Sequence, residues 1–447
     1  ALADYDGDRA WETLREAFAL RVDHAAGDGR AIARVAARAL ETPIRNAGLM
    51  RGATPGEDEM SRMLQAGLDN AGDEDSVELV RLLTIRAFWV WRLDRVDEPS
   101  EAEREQALGA AERAVEIALR LERPDLASAA LDGASSVLLE GSRYRDLEPY
   151  IRRRLDLVDR LDDPFELVDT YNMAAWWAAS VGDHRATLAF AAEEHDHWVA
   201  DVPGTALAGG LPWRALAKFR LGEWDEALTD VDRTFELLAG EPPRPFFSRH
   251  LGSAALIHEL RGARGPADEL VDLIRHKVIA RNPSSWGRIW LARVDARRGR
   301  VDDALEVVDR PARNGLEGLR LEALCDVVAV GARWDRAGDA IAATRAAATE
   351  TGILMLPPAA DALEARLAIA RGDHDRALPP LRRAAHRFGE LEMPWEEAVA
   401  RTDLAAALLE LGLPDDARSE LDRSLPVLER LRSVNELDRA RRLRAAV

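Results

Sequence analysis

Among its 447 residues the chain has one cysteine, Cys325, and two lysines, Lys218 and Lys277. A single thiol permits no disulfide within the chain, which suits a reducing cytosol. Cys325 stands in the apolar run LEALCDVVAV, so a buried, inert thiol is expected of it rather than a nucleophile. Neither lysine follows a glycine, so the Gly-x4-Gly-Lys-[Ser/Thr] loop that cradles nucleotide phosphates is absent. There is no Gly-x-Ser-x-Gly elbow, no His-Glu-x-x-His zinc helix and no Cys-x-x-Cys pair. No apolar run approaches the length of a membrane span, no secretory leader is visible, and no strand-like alternation of useful length occurs. The first residue is Ala1 rather than methionine, and we expect a piece cut from a longer protein.

Two acidic clusters suggest a metal and do not sustain the suggestion. In Glu193, Glu194, His195, Asp196 and His197 the two histidines are two residues apart, which puts them on different faces of a helix. A solvated helix end is expected there. Asp162 and Asp163 before Pro164 look like a terpene-synthase acidic motif, but the matching downstream motif is missing and the pair stands where a turn and an N-cap belong. No catalytic constellation, metal or cofactor is expected. The formal net charge of −19 argues against nucleic acid as a general partner, because phosphate contacts need a basic surface. Apolar residues at 47% and charged residues at 32% fit a folded chain, and the dominant alanine, leucine, arginine and glutamate favour helix.

What the sequence does have is an internal period. Gly141, Gly182, Gly222, Gly262, Gly299, Gly331, Gly372 and Gly412 are 41, 40, 40, 37, 32, 41 and 40 residues apart. Seven have alanine seven residues earlier (Ala134, Ala175, Ala215, Ala255, Ala292, Ala365, Ala405), and five have alanine five residues later (Ala227, Ala267, Ala304, Ala377, Ala417). Glycine ends a helix in the left-handed conformation without steric cost, and alanine lets two helices approach closely. Pro164, Pro203, Pro242, Pro283 and Pro394 follow 20 to 23 residues after their glycines, where a new helix can start. Each repeat of about 40 residues therefore reads as helix A, glycine turn, helix B and proline-marked turn, buried by stacking on its neighbours.

The Gly-x-aromatic-x-x-Ala turn of Gly222, Trp224 and Ala227, with a large apolar residue four further on at Val231, resembles the tetratricopeptide family. The resemblance covers roughly residues 123–430. The period is longer than the family's, and the aromatic is replaced by His184, Arg264, Val301, His374 and Pro414 in other repeats. It implies an all-α, right-handed superhelical solenoid of antiparallel helix pairs. Residues 1–122, whose glycine–alanine comb is poor, are expected to be irregular repeats or a cap, and residues 431–447 a basic capping helix. Ahead of the regular repeats, helices are expected over 5–27, 30–50, 57–70, 76–93 and 100–121.

In that family helix A lines a concave face. Carrying over its positions 13, 10, 6 and 3 residues before each glycine gives Asn172 and Trp176, Leu216 and Phe219, Arg249 and Leu256, Trp286, Ile289 and Arg293, and Arg366 and Ile369. We take Asn172, Trp176, Arg249, Trp286, Ile289, Arg293 and Arg366 as the expected partner-binding residues, since tryptophan and arginine are favoured anchors. Residues 261–300 hold ten arginines or lysines against four acidic residues, a basic island that would draw an anionic ligand or segment.

The long repeats, with phrases such as AAERAVEIALRLERPDLASAALDGAS, look like the C-terminal repeat region of large bacterial ATP-binding LuxR-type regulators of the maltose-regulator kind and of ATPase-linked cyclases. That resemblance implies a cytoplasmic, non-catalytic sensor of a ligand or protein partner, with an ATPase domain outside this chain. The alternatives are a free-standing scaffold that captures an acidic peptide or protein tail and, less favoured, an all-α enzyme.

Overall fold

In the computed structural model the described residues are 6–23, 29–46, 50, 55–91, 98–197, 210–238, 247–278, 286–312 and 315–447. They are helical throughout, with no strand among them. The chain packs into two compact units: residues 1–177 with 193–209, and residues 178–192 with 210–447. The division falls inside the regular repeats.

Unit 1 is built from α1 (Gly7–Asp23), α2 (Gly29–Leu40), α3 (Glu57–Ala71), α4 (Val77–Phe88), α5 (Glu101–Arg120), α6 (Pro124–Glu140), α7 (Tyr144–Leu155), most of α8 (Pro164–Val181) and the last turn of α9 (His184–His197), whose first nine residues belong to unit 2. Residues 24–27, 47–49 and 92–93 of the expected spans lie outside the described residues. The helices expected over 57–70 and 100–121 are α3 and α5 to within a residue, whereas those expected over 30–50 and 76–93 leave α-helical form after Leu40 and Phe88. Their starts follow from their caps. The Ser76 hydroxyl accepts from the Leu79 N–H, and Ser100 and Glu103 bond each other's backbone N–H groups in a reciprocal cap. Successive helices pair antiparallel, while α2, α4 and α6 lie side by side as one layer.

Unit 2 holds α10 (Leu211–Arg220), α11 (Trp224–Leu238), α12 (Ser248–Leu260), α13 (Arg264–Leu273), α14 (Trp286–Arg297), α15 (Val301–Val308), α16 (Glu317–Val330), α17 (Trp334–Thr351), α18 (Leu356–Ala370), α19 (His374–Glu390), α20 (Pro394–Glu410), α21 (Pro414–Leu431) and α22 (Val434–Ala445). The even-numbered helices form one layer and the odd-numbered ones α11 to α21 the other. The basic segment at the end is α22, packed on α20 and α21.

The alanine comb is buried at every tooth: Ala134, Ala175, Ala215, Ala255, Ala292, Ala365 and Ala405 before the turn, and Ala227, Ala267, Ala304, Ala377 and Ala417 after it. A larger side chain at these crossings would force the helices apart. Six of the eight period glycines have positive φ, from 69° to 91°. Gly141 and Gly331 do not; their φ angles are −79° and −78°. There the left-handed residue is the next one, Ser142 (φ 55°) and Ala332 (φ 51°). The expected register is therefore one residue early in these two repeats. With the turn set at Ala332, the residue seven before it is Cys325 and the residue five after it is Ala337, both buried. The lone cysteine is thus a tooth of the comb, a small side chain at a helix crossing.

The turns that close each repeat use the same device. Glu122, Glu392 and Arg432 have φ of 55°, 52° and 57°. After Gly222, Gly372, Glu392, Gly412 and Arg432 the next backbone N–H donates to a carbonyl five residues back, at 2.8–3.1 Å, which closes the helix end. Left-handed turns at residues 372, 392, 412 and 432 come every 20 residues. The 40-residue period is two nearly equal half-periods; the glycine comb marks one of them, and the other turns on Glu122, Gly352, Glu392 or Arg432.

Candidate functional site

The even-numbered layer of unit 2 carries most of the expected binding residues. Arg249 on α12, Trp286, Ile289 and Arg293 on α14 and Arg366 on α18 all belong to it, whereas Asn172 and Trp176 sit half-buried on the part of α8 that belongs to unit 1. Trp176 meets Trp91 edge to face at 5.5 Å. The neighbouring turns of α8 join a buried ion cluster, in which Arg154 bonds Glu166 at 3.0 Å and Asp169 at 2.6 Å.

Within unit 2 the expected residues divide into two groups. Arg249 lies over the Trp213 ring at 3.7 Å and over Trp286 at 5.7 Å, and the two indoles meet edge to face. Trp286 also lines a cavity of about 20 Å³, the size of one water, together with Ser180, His184, Arg220 and Trp290. Burial, with help from the Arg220 charge, holds the His184 imidazole well below its ordinary pKa, so it is neutral.

The second group surrounds a cavity of about 70 Å³ lined by residues of α14, α16, α18, α19 and α20. Arg293 donates to Asp326 at 2.7 Å and to Glu322 at 3.3 Å. Arg297 forks onto Asp326 at 2.7 and 2.9 Å, and Arg220 forks onto Glu322. Arg220 also reaches Glu396 at 3.2 Å. Arg366 bonds Asp403 at 2.7 Å, whose other oxygen takes Arg439 at 2.5 Å. Five arginines thus face the carboxyls of Glu322, Asp326, Glu396, Asp403 and Glu436. Trp395 and Phe388 complete the wall.

The electrostatics of these acids diverge. Burial alone would raise every carboxyl, because the charged form loses water. At Glu322 the Arg220 and Arg293 charges outweigh burial and lower it. Asp326, between Arg297 and Arg293, is held below the usual carboxylate range. Glu396 has one arginine contact and the Glu322 charge nearby, and burial pushes it up to about 7. Glu396 is therefore pushed towards neutrality while the arginines hold Glu322, Asp326 and Asp403 below their ordinary values. Cys325 also borders the cavity; burial pushes its thiol up to about 12, although the thiol bonds Thr344 at 3.3 Å.

Six residues of the basic island are paired. Arg261, Arg275, Arg293, Arg297, Arg298 and Arg300 each pair with a carboxylate: Asp225, Asp295, Glu322 with Asp326, Asp326, Glu259 with Asp268, and Asp295 again. Arg281 lies outside the described residues. The acidic half of the cavity, Glu322, Asp326, Glu396 and Asp403, was not anticipated in the sequence. The signal for two of them was there. Counted from the true turn residue Ala332, Glu322 and Asp326 stand 10 and 6 residues back, the positions of Ile289 and Arg293 relative to Gly299.

The interior is closed by contacts between the two ends of unit 2. Arg430 donates to the Gly222 carbonyl at 3.1 Å, Arg261 to the Leu431 carbonyl at 3.0 Å, and Arg185 to Glu392 at 2.6–3.0 Å; Asp225 takes Arg432. No helix of the described residues is long and apolar enough to cross a membrane, and no group of three or more potential metal ligands occurs among them.

No protein-family model matches the sequence, and no curated protein matches it. Among solved structures, the crystal structure of the APC/C hetero-tetramer Cut9–Hcn1 is similar with a TM-score of 0.50 at 12% identity, over 98% of this chain and 92% of that one. The Rap protein complexed with competence and sporulation factor aligns over 96% and 94%, with 13% identity and a TM-score of 0.37. At such identity the first likeness is one of fold: the chain is an all-α helical-repeat protein.

Proposed function

We propose that this chain is a non-catalytic binding module whose unit 2 senses a small ligand through its charged interior. The observation that carries this reading is the ring of arginines and carboxyls around the 70 Å³ cavity. Buried ion pairs contribute little to stability compared with well-packed apolar residues. A core meant only to hold helices together would be apolar, as the alanine comb is. A titratable, charged core gives a ligand something to displace. The closing contacts at Gly222, Leu431 and Glu392 include hydrogen bonds and an ion pair beside the apolar contact of Gly222 with Pro394, so a bound ligand can bias whether that seam is shut or open. The finer reading, the sensor part of a bacterial regulator whose ATPase and output domains lie on other segments, accords with the resemblance of the long repeats.

Thermal unfolding against a panel of metabolites, nucleotides, oligosaccharides and acidic peptides tests the proposal, because ligand binding to the folded state raises the midpoint. The expected result is a saturable rise with one small molecule, changed in Glu396→Gln, whose side chain lines the cavity. A rise with peptides alone would favour the second reading, a scaffold for a protein segment. That reading draws on the similar structure, an assembly with a second protein.

A further inference from the structure

The inner layer of unit 1 holds a polar cavity of about 130 Å³, among α2, α4, α6 and the first turn of α8. One wall is the wide turn Glu41–Arg45, in which the Asn46 N–H donates to the Glu41 carbonyl at 2.8 Å. Such π-type turns are uncommon and concentrate at functional sites. Four buried polar atoms of the lining have no hydrogen-bond partner within the protein: Nε of Arg45, Nε of Arg81, Oγ1 of Thr84 and Oδ1 of Asn46. Thr84 is only 4% exposed. Buried polar groups are almost always paired, so four around one cavity mark a place built for an occupant.

The atoms define its chemistry. The Arg81 N–H and the Thr84 hydroxyl offer hydrogens to an oxygen acceptor and the Asn46 amide oxygen accepts from an N–H, while Nε of Arg45 faces Asp132 at 3.8 Å. The charges already present are engaged. Arg45 holds Glu166 at 2.5 Å, Arg38 and Arg81 share Glu41, and Arg123 forks onto Asp125 at 2.9 and 2.5 Å. Asp163 accepts from the Phe165 N–H at 2.9 Å. A ligand of net charge would therefore sit uncompensated, whereas a zwitterion would not. The volume equals that of about four waters, which is enough for a small organic molecule.

We propose that this cavity binds a free α-amino acid, its carboxylate on Arg81 and Thr84 and its ammonium on Asn46. The site is separate from the interior of unit 2 and does not rest on the sensing role argued for it. The last residue of a peptide offers a carboxylate and one N–H as well, so the test must separate the two sources.

Isothermal titration of the full chain with each proteinogenic amino acid, and in parallel with tripeptides ending in the same residue, decides the matter. Saturable binding of at least one free amino acid is expected, weakened about tenfold in Thr84→Val by loss of one hydrogen bond to a carboxylate. The thermal midpoint of Thr84→Val without ligand should be unchanged or higher, because its hydroxyl bonds nothing in the protein. Glu396→Gln should leave the titration as it was. Binding of tripeptides alone, binding indifferent to both Thr84→Val and Asn46→Ala, or no binding at all would each overturn the proposal.

Discussion

Arg220 and Glu322 meet fork to fork, Nη1 to Oε1 and Nη2 to Oε2, both at 2.6 Å, with side chains 2% and 7% exposed. Glu322 also takes Arg293. Removing it alone leaves two buried guanidinium groups short of a partner. Glu322→Leu is expected to cost about 3–5 kcal/mol in urea unfolding. The double change Arg220→Met with Glu322→Leu should recover much of that loss. If the single change costs under about 1 kcal/mol, the fork is not a coupled pair.

Glu396 makes stability depend on pH in the direction opposite to the paired acids. Its folded value, about 7, lies above its ordinary 4.5 because of burial. The contribution is whole below about pH 4.5 and is lost as pH rises through about 7, a change on the order of 3 kcal/mol. Glu396→Gln should flatten this slope between pH 5 and pH 8, read as the loss of about one proton taken up on folding. An unchanged slope in the variant would assign it to another group.

The turn residues can be exchanged in both directions. Gly372 has φ of 76° and open space around it, so Gly372→Ala should cost about 1 kcal/mol, the steric price of a left-handed Cβ. Ala332 already sits at φ 51°, so Ala332→Gly should gain up to about 1 kcal/mol. Gly222→Ala should be worse than Gly372→Ala, since its Cβ would lie 2.5 Å from Pro394 Cγ. Denaturation midpoints of the three variants give the order directly.

Cys325 should resist alkylation in the folded chain and react once the chain is unfolded. Its thiol is buried and held at about 12, so almost no thiolate is present at neutral pH. Cys325→Ala, which restores the comb residue of the other repeats, should change stability by less than about 1.5 kcal/mol. Rapid labelling of the native protein would show that α16 opens locally.

The helices, their turns and the small-residue crossings were legible because each is fixed by local chemistry: a left-handed residue, a proline start, an alanine at close approach. The expected glycine period slipped at Gly141 and Gly331 because serine and alanine took the strained position instead, and sequence spacing cannot see φ. The interior was only half legible. Trp286 and Arg293 stand where the family pattern puts a binding residue, but their neighbours are decided by which distant helices meet. Nothing in the local sequence tells that Arg220 will face Glu322 and Glu396, or that Arg261, Arg293 and Arg297 will find carboxylates outside residues 261–300.

The contact of Gly222 with Pro394 and Arg430 bears on how unit 2 comes apart. An open stack of repeats frays from its outermost helices, each loss independent of the far end. In unit 2 the early helices α10 and α11 rest against α20 and α21, so neither can peel away without exposing the other. Amide exchange should then report one shared opening energy for α10, α11, α20 and α21, where an array with loose ends would show a gradient.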